Sequence, residues 1–433
     1  MDWCLGIMIV FILILVFSAS SRAIPGKLNF AHDNTLSSNQ CSLEFTYLDQ
    51  YNNRTMSLDE FDDGSYYDKD YFITRPFDER KPRVPYVKGF HFTVQQHIPP
   101  PPVKLDPITR CTITDIKASE KMEQLHPVER CLQYPPLPGS YGPLHLELEI
   151  HDTIRIGDHH RAQVVVVEVL SADFDFPVKG LSQGQRVVAK LYDPMYIDDD
   201  EFYVNPFLVA DKAYTHETAT YEALAEYQGA AIPDYYGSYS LDIPIGTPGC
   251  MRTVRLILIE FIPGLSMQKI DPGILTHDAR QSVMKSIIEF ETSAHAKDVL
   301  LTDLTPRNVM VTDLDLDPDS VSSEDRRRLV FIDFGDAEVG CGAVSEQKES
   351  GAFEFHIDHY YYVPPLLRWH YDQHRNDPFV DLIDWYWQPW LQTEFADTAA
   401  AITPGMLKYY MPYYFRQEVG DDMAEGLRRI VGC

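Results

Sequence analysis

The sequence lacks closely spaced cysteines. Its seven cysteines, at positions 4, 41, 111, 131, 250, 341 and 433, never lie within three residues of each other. This spacing excludes zinc ribbons and Cys-x-x-Cys redox motifs, and the cysteines are too sparse for a small disulfide scaffold. We therefore expect most of them to be buried thiols, with a pairing that involves Cys41, Cys111 or Cys131 left open.

Basic side chains are also scarce. The chain of 433 residues carries 37 Lys and Arg against 65 Asp and Glu, which gives a formal net charge of −28. A surface of this sign repels nucleic-acid phosphates, so we predict no nucleic-acid partner. A smaller phosphate-bearing ligand would need a locally basic site and a divalent metal.

Long hydrophobic runs are missing as well. The uncharged stretch Cys4–Phe17 has 14 residues, whereas a spanning helix needs about 20. Together with the small residues at Ser21–Ala23 it predicts a signal peptide or signal-anchor within residues 1–23, which would direct the chain to the secretory pathway or associate it with a membrane. The alternative is a cytoplasmic protein whose true start lies downstream.

Residues 24–140 contain little periodic patterning. The segment His97–Pro107 includes four consecutive prolines, which favour an extended polyproline II conformation. We expect a poorly structured N-terminal region with a proline-rich linker.

Regular patterning begins at Tyr141 and predicts a domain over 141–433. β-branched and alternating segments predict strands, and apolar residues at helical spacing predict helices. The predicted strands are Leu144–Ile150, Ala162–Leu170, Gln185–Asp193, Thr253–Gly264 and Arg328–Ile332, and the predicted helices are Asp211–Gly229, Ala279–Lys297 and Phe379–Phe395, the last broken at Pro389. The order indicates an α+β fold with a sheet-rich part at about 141–262 and a helical part at about 263–433.

Polar residues that suit phosphate chemistry follow two apolar runs. Asp303 and Asn308 lie in "LLTDLTPRNVMV", and Asp333 follows the strand "RLVFI" in "FIDFGD". A carboxylate beside a hydroxyl can orient it and accept its proton, and an amide oxygen five residues later can bind magnesium. A carboxylate after a buried strand can bridge that metal to phosphates.

The chain from about Tyr141 to its C-terminus resembles the protein-kinase-like superfamily, and in particular divergent kinase-like domains of filamentous fungi. The phrases "KLYDP", "YQGAAIPDYYGSY" and "DLTPRNVMV" carry this likeness. The resemblance implies a two-lobed protein-kinase-like fold with a β-rich N-lobe and a helical C-lobe. It also implies a monomer that uses ATP and Mg²⁺.

The resemblance also implies a role for each site residue. Lys190 would hold the nucleotide phosphates, Glu217 would pair with Lys190, and Asp303 would be the catalytic carboxylate. The remaining expected nucleotide or metal contacts are Gly157, Glu260, Ile262, Asn308 and Asp333, of which Asn308 and Asp333 would bind the metal.

Several positions depart from the kinase pattern. Leu301 and Thr302 replace the usual His and Arg before the catalytic Asp, and Thr305 replaces the Lys of serine/threonine kinases. The predicted glycine-rich loop has Gly157 alone, which weakens the case for nucleotide binding. No Ala-Pro-Glu follows Phe334-Gly335.

Two other patterns imitate metal sites. Asp313–Glu324 has calcium-loop spacing, but Pro318 replaces the turn glycine, so we expect a solvated hairpin. Four histidines have spacings that a metal could use, but they lack the tight signature of zinc sites. They are His356, His359, His370 and His374.

The sequence therefore predicts an ATP-dependent phosphotransferase that moves the γ-phosphate to a protein hydroxyl. Two alternatives stay open. One is a pseudokinase that serves as a scaffold or binding module, and the other is a small-molecule kinase of the aminoglycoside-phosphotransferase type. The phosphate acceptor, whether a protein or a small molecule, cannot be read from the sequence.

Overall fold

The computed structural model describes residues 80–103, 125–158, 160–172, 180–197, 205–245, 249–312, 328–340 and 362–411. It is a mixed α+β structure with a large antiparallel sheet and several helices. All of these residues belong to one unit, Pro76–Cys433. Among them, no helix combines the length and the apolar character needed to cross a bilayer. The segment Cys4–Phe17 and the membrane prediction attached to it lie outside the described residues.

Six strands close into an antiparallel barrel in the order β1-β2-β3-β4-β6-β5. These strands are β1 (His91–Ile98), β2 (Ser140–Arg155), β3 (Gln163–Ala172), β4 (Arg186–Tyr192), β5 (Tyr235–Pro244) and β6 (Met251–Glu260). Strict alternation puts Leu144, Leu146 and Leu148 inside the barrel, while Glu147 and Glu149 face outward. This alternation is the pattern of a sheet with one buried face.

The prediction of a poorly structured region over 24–140 is wrong for two described segments. His91–Ile98 is strand β1 of the barrel, and Pro127–Gln133 is helix α1. The strand escapes pattern analysis because Gln95 and Gln96 interrupt its apolar alternation. Phe92 and Val94 are nevertheless buried in the barrel core. Strand β5 was missed too, because its buried face includes two serines, Ser238 and Ser240.

The helices follow their capping signals. Helix α2 (Pro206–Ala223) begins earlier than predicted, because Asn205 caps it and Pro206 occupies its first turn. Helix α3 (His277–Ala296) is capped by Thr276. The described residues also form the helices α4 (Pro365–Arg368), α5 (Trp387–Glu394) and α6 (Pro404–Tyr410).

The single helix predicted over Phe379–Phe395 is wrong. Asp377–Leu382 is a short 3₁₀ helix, and α5 starts only at Trp387. Pro389 does not break α5, because it lies in the first turn, where a backbone N–H has no helical partner to lose.

Short strands beside α3 position the candidate residues Asp303, Asn308 and Asp333. They form two small antiparallel sheets, β10-β9-β7 and β11-β8. The strands are β7 (Leu265–Ser266), β8 (Val299–Leu300), β9 (Val309–Thr312), β10 (Arg328–Phe331) and β11 (Glu338–Val339). Asp303 and Asn308 lie between β8 and β9, and Asp333 lies between β10 and β11.

Candidate functional site

A buried lysine is held between two carboxylates from different elements. Lys190 extends from β4, and its Nζ lies 2.5 Å from Glu217 Oε2 on α2 and 2.5 Å from Asp333 Oδ1 after β10. The Lys190 side chain is 7% exposed and that of Glu217 is fully buried. Burial alone would lower the pKa of Lys190, but Asp333 and Glu217 outweigh it and raise that pKa. The ammonium is therefore charged at neutral pH.

Glu217 is fixed by three donors. Besides Lys190, the Tyr192 hydroxyl donates to Glu217 Oε2 at 2.7 Å, and the backbone N–H of Phe334 donates to Oε1 at 3.4 Å. Burial raises the pKa of Glu217, and the charge of Lys190 and the hydrogen bonds from Lys190 and Tyr192 oppose that rise. The contact with Phe334 ties α2 directly to the segment that carries Asp333.

The backbone of Asp333 is in the left-handed region. Its φ is +64°, a conformation that costs energy for a residue with a side chain. Gly335 allows the chain to pass close to α2, because a Cβ at this position would lie 3.3 Å from Ala213 Cβ. Burial would raise the pKa of Asp333, yet the charges of Lys190 and Arg155 lower it well below its usual range.

Asp303 and Asn308 face each other within one turn. Asn308 Nδ2 donates to the backbone oxygen of Asp303 at 2.9 Å and to its Oδ2 at 3.0 Å. Arg307 Nη2 donates to both carboxylate oxygens at 2.8 Å. The backbone oxygen of Asn308 accepts from the N–H of Ile332 at 2.9 Å, which connects this turn to the residue before Asp333.

Both aspartates line one pocket with apolar neighbours. The pocket is lined by Leu301, Thr302, Asp303, Leu304, Asn308, Phe331, Ile332, Asp333, Phe334 and Ala337. Leu301, which stands where kinases have His, is buried in the core beneath it. The Thr302 hydroxyl donates to the backbone oxygen of Asp336 at 2.6 Å, so it ties this turn to the segment after Asp333.

The remaining predicted nucleotide contacts, Gly157, Glu260 and Ile262, are not among the residues that line this pocket. Gly157 is in the β2–β3 hairpin with a φ of +127°. Glu260 ends β6, where its backbone N–H and its carboxylate both bond the backbone of Asp234. Ile262 follows and is buried. These bonds hold the start of β5 to the end of β6, and the carboxylate of Glu260 also lies 3.8 Å from Arg328 Nη2 on β10.

Three arginines of the site were missed by sequence reasoning. Arg155 Nη2 lies 3.7 Å from Asp333 Oδ2, and Arg161 Nη1 lies 2.7 Å from both carboxylate oxygens of Asp336. Arg307 pairs with Asp303. A signal was present, since Arg307 is inside "TPRN" and the other two flank Gly157 in "RIGDHHR". With Lys190 they set four cationic side chains against four carboxylates of the site, a larger share of positive charge than in the whole chain, which has 37 Lys and Arg against 65 Asp and Glu.

The described residues offer oxygen ligands for a small divalent cation. The amide nitrogen of Asn308 donates to Asp303, so its amide oxygen can face a cation. Asp333 supplies a carboxylate. Two protein oxygens plus substrate phosphates are a typical Mg²⁺ ligand set. No group of three or more His, Cys, Asp or Glu suited to a metal occurs within the described ranges.

The two described histidines of the four make contacts within their own segment. His370 is buried and accepts from the backbone N–H of Asp372, and His374 is near Asp377. His356, His359 and the calcium-like segment Asp313–Glu324 lie outside the described residues.

No family model matches the chain, and no curated protein matches it either.

Proposed function

We propose that the chain is a member of the protein-kinase-like superfamily and an ATP-dependent phosphotransferase. One observation carries the proposal: Lys190 on a strand pairs with Glu217 on a helix at 2.5 Å while Asp333 lies at the same ammonium. Protein kinases need this lysine–glutamate pair, and they need the Asp of Asp-Phe-Gly to hold metal.

A two-lobed kinase-like architecture is part of this proposal. The lysine and Glu217 come from the antiparallel sheet and the helix packed on it, whereas Asp303, Asn308 and Asp333 come from the part of the chain with α3 and the short strands. A cleft between two such parts is a common place for a nucleotide. The order of the five residues along the chain agrees with the kinase order.

The residues support a direct phosphoryl transfer. Lys190 would bind the α- and β-phosphates, and Asp303 would orient an acceptor hydroxyl and take its proton. The hydroxyl oxygen bonds to the γ-phosphorus as the bond to the β–γ bridging oxygen breaks, and ADP leaves. Mg²⁺ held by Asn308 and Asp333 would neutralise phosphate charge. We propose a protein hydroxyl as acceptor, with a small-molecule hydroxyl as the alternative.

A second candidate is a nucleotide-binding module without transfer. It is favoured by the internal pairing of the site, because Arg307 occupies both oxygens of Asp303. An acceptor hydroxyl would have to compete with that guanidinium for the carboxylate.

Thermal melting of the whole chain tests the nucleotide site. At 100 times its dissociation constant a ligand stabilises the folded state by about 2.7 kcal/mol, which is easily measured. We expect ATP to raise the melting temperature in the presence of Mg²⁺, and Asp333→Asn to lose most of that increase. A folded protein that shows no shift with ATP and Mg²⁺ would contradict the proposal.

Asp303→Ala separates the two candidates. For a transferase, the variant should keep the Mg·ATP-dependent melting shift but lose ADP formation, because the carboxylate acts on the acceptor. A general base contributes about 10²- to 10⁴-fold to a rate. Wild-type protein that binds Mg·ATP yet forms no ADP with peptide or metabolite mixtures would favour the binding module.

A further inference from the structure

Two guanidiniums extend from the β2–β3 hairpin to carboxylates of the site. Arg155 ends β2 and approaches Asp333, and Arg161 precedes β3 and binds Asp336. Their side chains are 43% and 57% exposed, so a ligand from solvent can reach both. In kinases the equivalent hairpin is a glycine-rich loop that covers the ATP phosphates.

The backbone N–H and oxygen of Gly157 in this hairpin both form hydrogen bonds within the fold. The N–H of Gly157 donates to Gln163 Oε1 at 2.7 Å, and Gln163 Nε2 donates back to the Gly157 oxygen at 2.8 Å. Gln163 is fully buried, so this pair of hydrogen bonds is a fixed part of the fold. Gly157 is therefore explained by its positive φ, and its amide is not available to a phosphate.

The acidic residue of the hairpin is neutralised from outside the site. Asp158 Oδ1 lies 2.7 Å from Lys81 Nζ, and the two side chains are 9% and 5% exposed. Lys81 also donates to the backbone oxygen of Ile197 at 3.4 Å. The hairpin is thus anchored, and its own carboxylate contributes little repulsion to an anion in the cleft.

We propose that Arg155 and Arg161 bind the terminal phosphates of the nucleotide in place of glycine-loop amides. This inference rests on the proposed nucleotide site. The planar guanidinium suits phosphate oxygens. Before the nucleotide binds, Asp333 and Asp336 hold the two arginines near where the phosphates lie. The chain thereby replaces backbone N–H groups with charged side chains, which an overall charge of −28 makes especially useful.

Equilibrium titration of the full chain tests the assignment. Arg155→Gln and Arg161→Gln would be titrated with Mg·ATP and with adenosine, which has no phosphate. Arg186→Gln is the matched control, because Arg186 is 54% exposed on the same barrel and pairs with Glu168 rather than with a site aspartate. Arg161→Lys keeps the charge but not the planar fork, so its affinity for Mg·ATP should fall between those of the wild type and Arg161→Gln.

We expect each Gln variant to bind Mg·ATP about 10- to 100-fold more weakly, with adenosine binding unchanged and with the control like the wild type. Wild-type affinity in both Gln variants would overturn the inference and leave the nucleotide site intact. Equal weakening for adenosine and ATP would overturn it too, because the arginines would then act on hairpin shape. A wild-type protein that binds neither ligand would contradict the proposed function itself.

Discussion

Arg307 Nη2 lies 2.8 Å from both carboxylate oxygens of Asp303. The two residues are four positions apart in a turn, and Asn308 holds one of the same oxygens at 3.0 Å. The carboxylate thus has a fixed orientation before any acceptor arrives. Orientation of this kind can account for a large share of an enzymatic rate, since a misplacement of about 1 Å can cost about a hundredfold.

Arg307→Ala should therefore lower the turnover number by up to about a hundredfold while the KM for ATP changes little. The reason is that Asp303 loses its orienting partner, whereas Lys190 and Asp333 keep theirs. Single-turnover ADP release, measured with whichever acceptor supports transfer, provides the readout.

Lys285→Ala is the control for Arg307→Ala. Lys285 is 44% exposed and forms an ion pair with Glu394, so it matches the 41% exposure of Arg307 without touching the site. Arg307→Lys should recover part of the rate. A turnover number equal to that of the control would contradict a positioning role for Arg307.

Glu217→Ala should destabilise the protein by about 3–5 kcal/mol, because it breaks a buried ion pair. It leaves Lys190 with one partner and removes the acceptor of the Tyr192 hydroxyl. Urea unfolding gives the free energy directly. Glu217→Gln should cost less, since the amide oxygen still accepts from Tyr192.

The comparison for Glu217 is Glu226→Ala. Glu226 pairs with Lys297 at 3.0 Å on the surface, where ion pairs contribute little, so no measurable change is expected. If Glu217→Ala unfolds at the same urea concentration as Glu226→Ala, the pair with Lys190 does not support the fold.

Asp211→Asn should stabilise the protein at pH 7. Burial raises the pKa of Asp211 to about 6, and the Leu137 N–H that donates to it at 3.1 Å only partly opposes this. The folded pKa exceeds the unfolded value of about 3.9, so the favourable contribution is complete below pH 4 and is lost as the pH rises through 6. Asparagine avoids that loss and keeps the acceptor oxygen.

The pH dependence of the difference is the decisive observation for Asp211. The melting temperature of Asp211→Asn should exceed that of the wild type at pH 7, by an amount equivalent to about 2–3 kcal/mol, and the two should converge near pH 4. A variant that is less stable at pH 7 would show that the ionised carboxylate is favourable where it lies.

Much of the barrel could be predicted from β-branched runs. The segments around Lys190 and Leu256 are strands close to the expected bounds, because continuous Val, Ile and Leu suit buried sheet positions. Strands β1 and β5 were missed because their inward positions include His97, Ser238 and Ser240. Their partners are distant in sequence, such as the backbone oxygen of His97 that accepts from the Ser238 hydroxyl at 2.7 Å, and such pairing cannot be read locally.

The candidate site also contains some residues that the sequence indicated and others that it did not. The pairing of Lys190 with Glu217, which the resemblance implies, is present as a contact of 2.5 Å between a strand and a helix. Arg155 and Arg161 flank Gly157 in the sequence, but their partners Asp333 and Asp336 are distant along the chain, so the local segment does not show what the two arginines approach. Only tertiary contacts bring these two arginines into the site.

The closed barrel has a consequence for how the chain reaches its native state. Strand β1 pairs with β2 through most of its length and meets β5 at Gln95–Ser240 and Gln96–Tyr239. These partners are far apart in sequence, so closure requires long loops to be ordered before the final pairing is gained. A fragment that begins at Tyr141 would lack β1 and would leave β2 and β5 as open edges. Unpaired edges are templates for association between chains, so strand β1, which lies in the region predicted to be poorly structured, protects the barrel from aggregation.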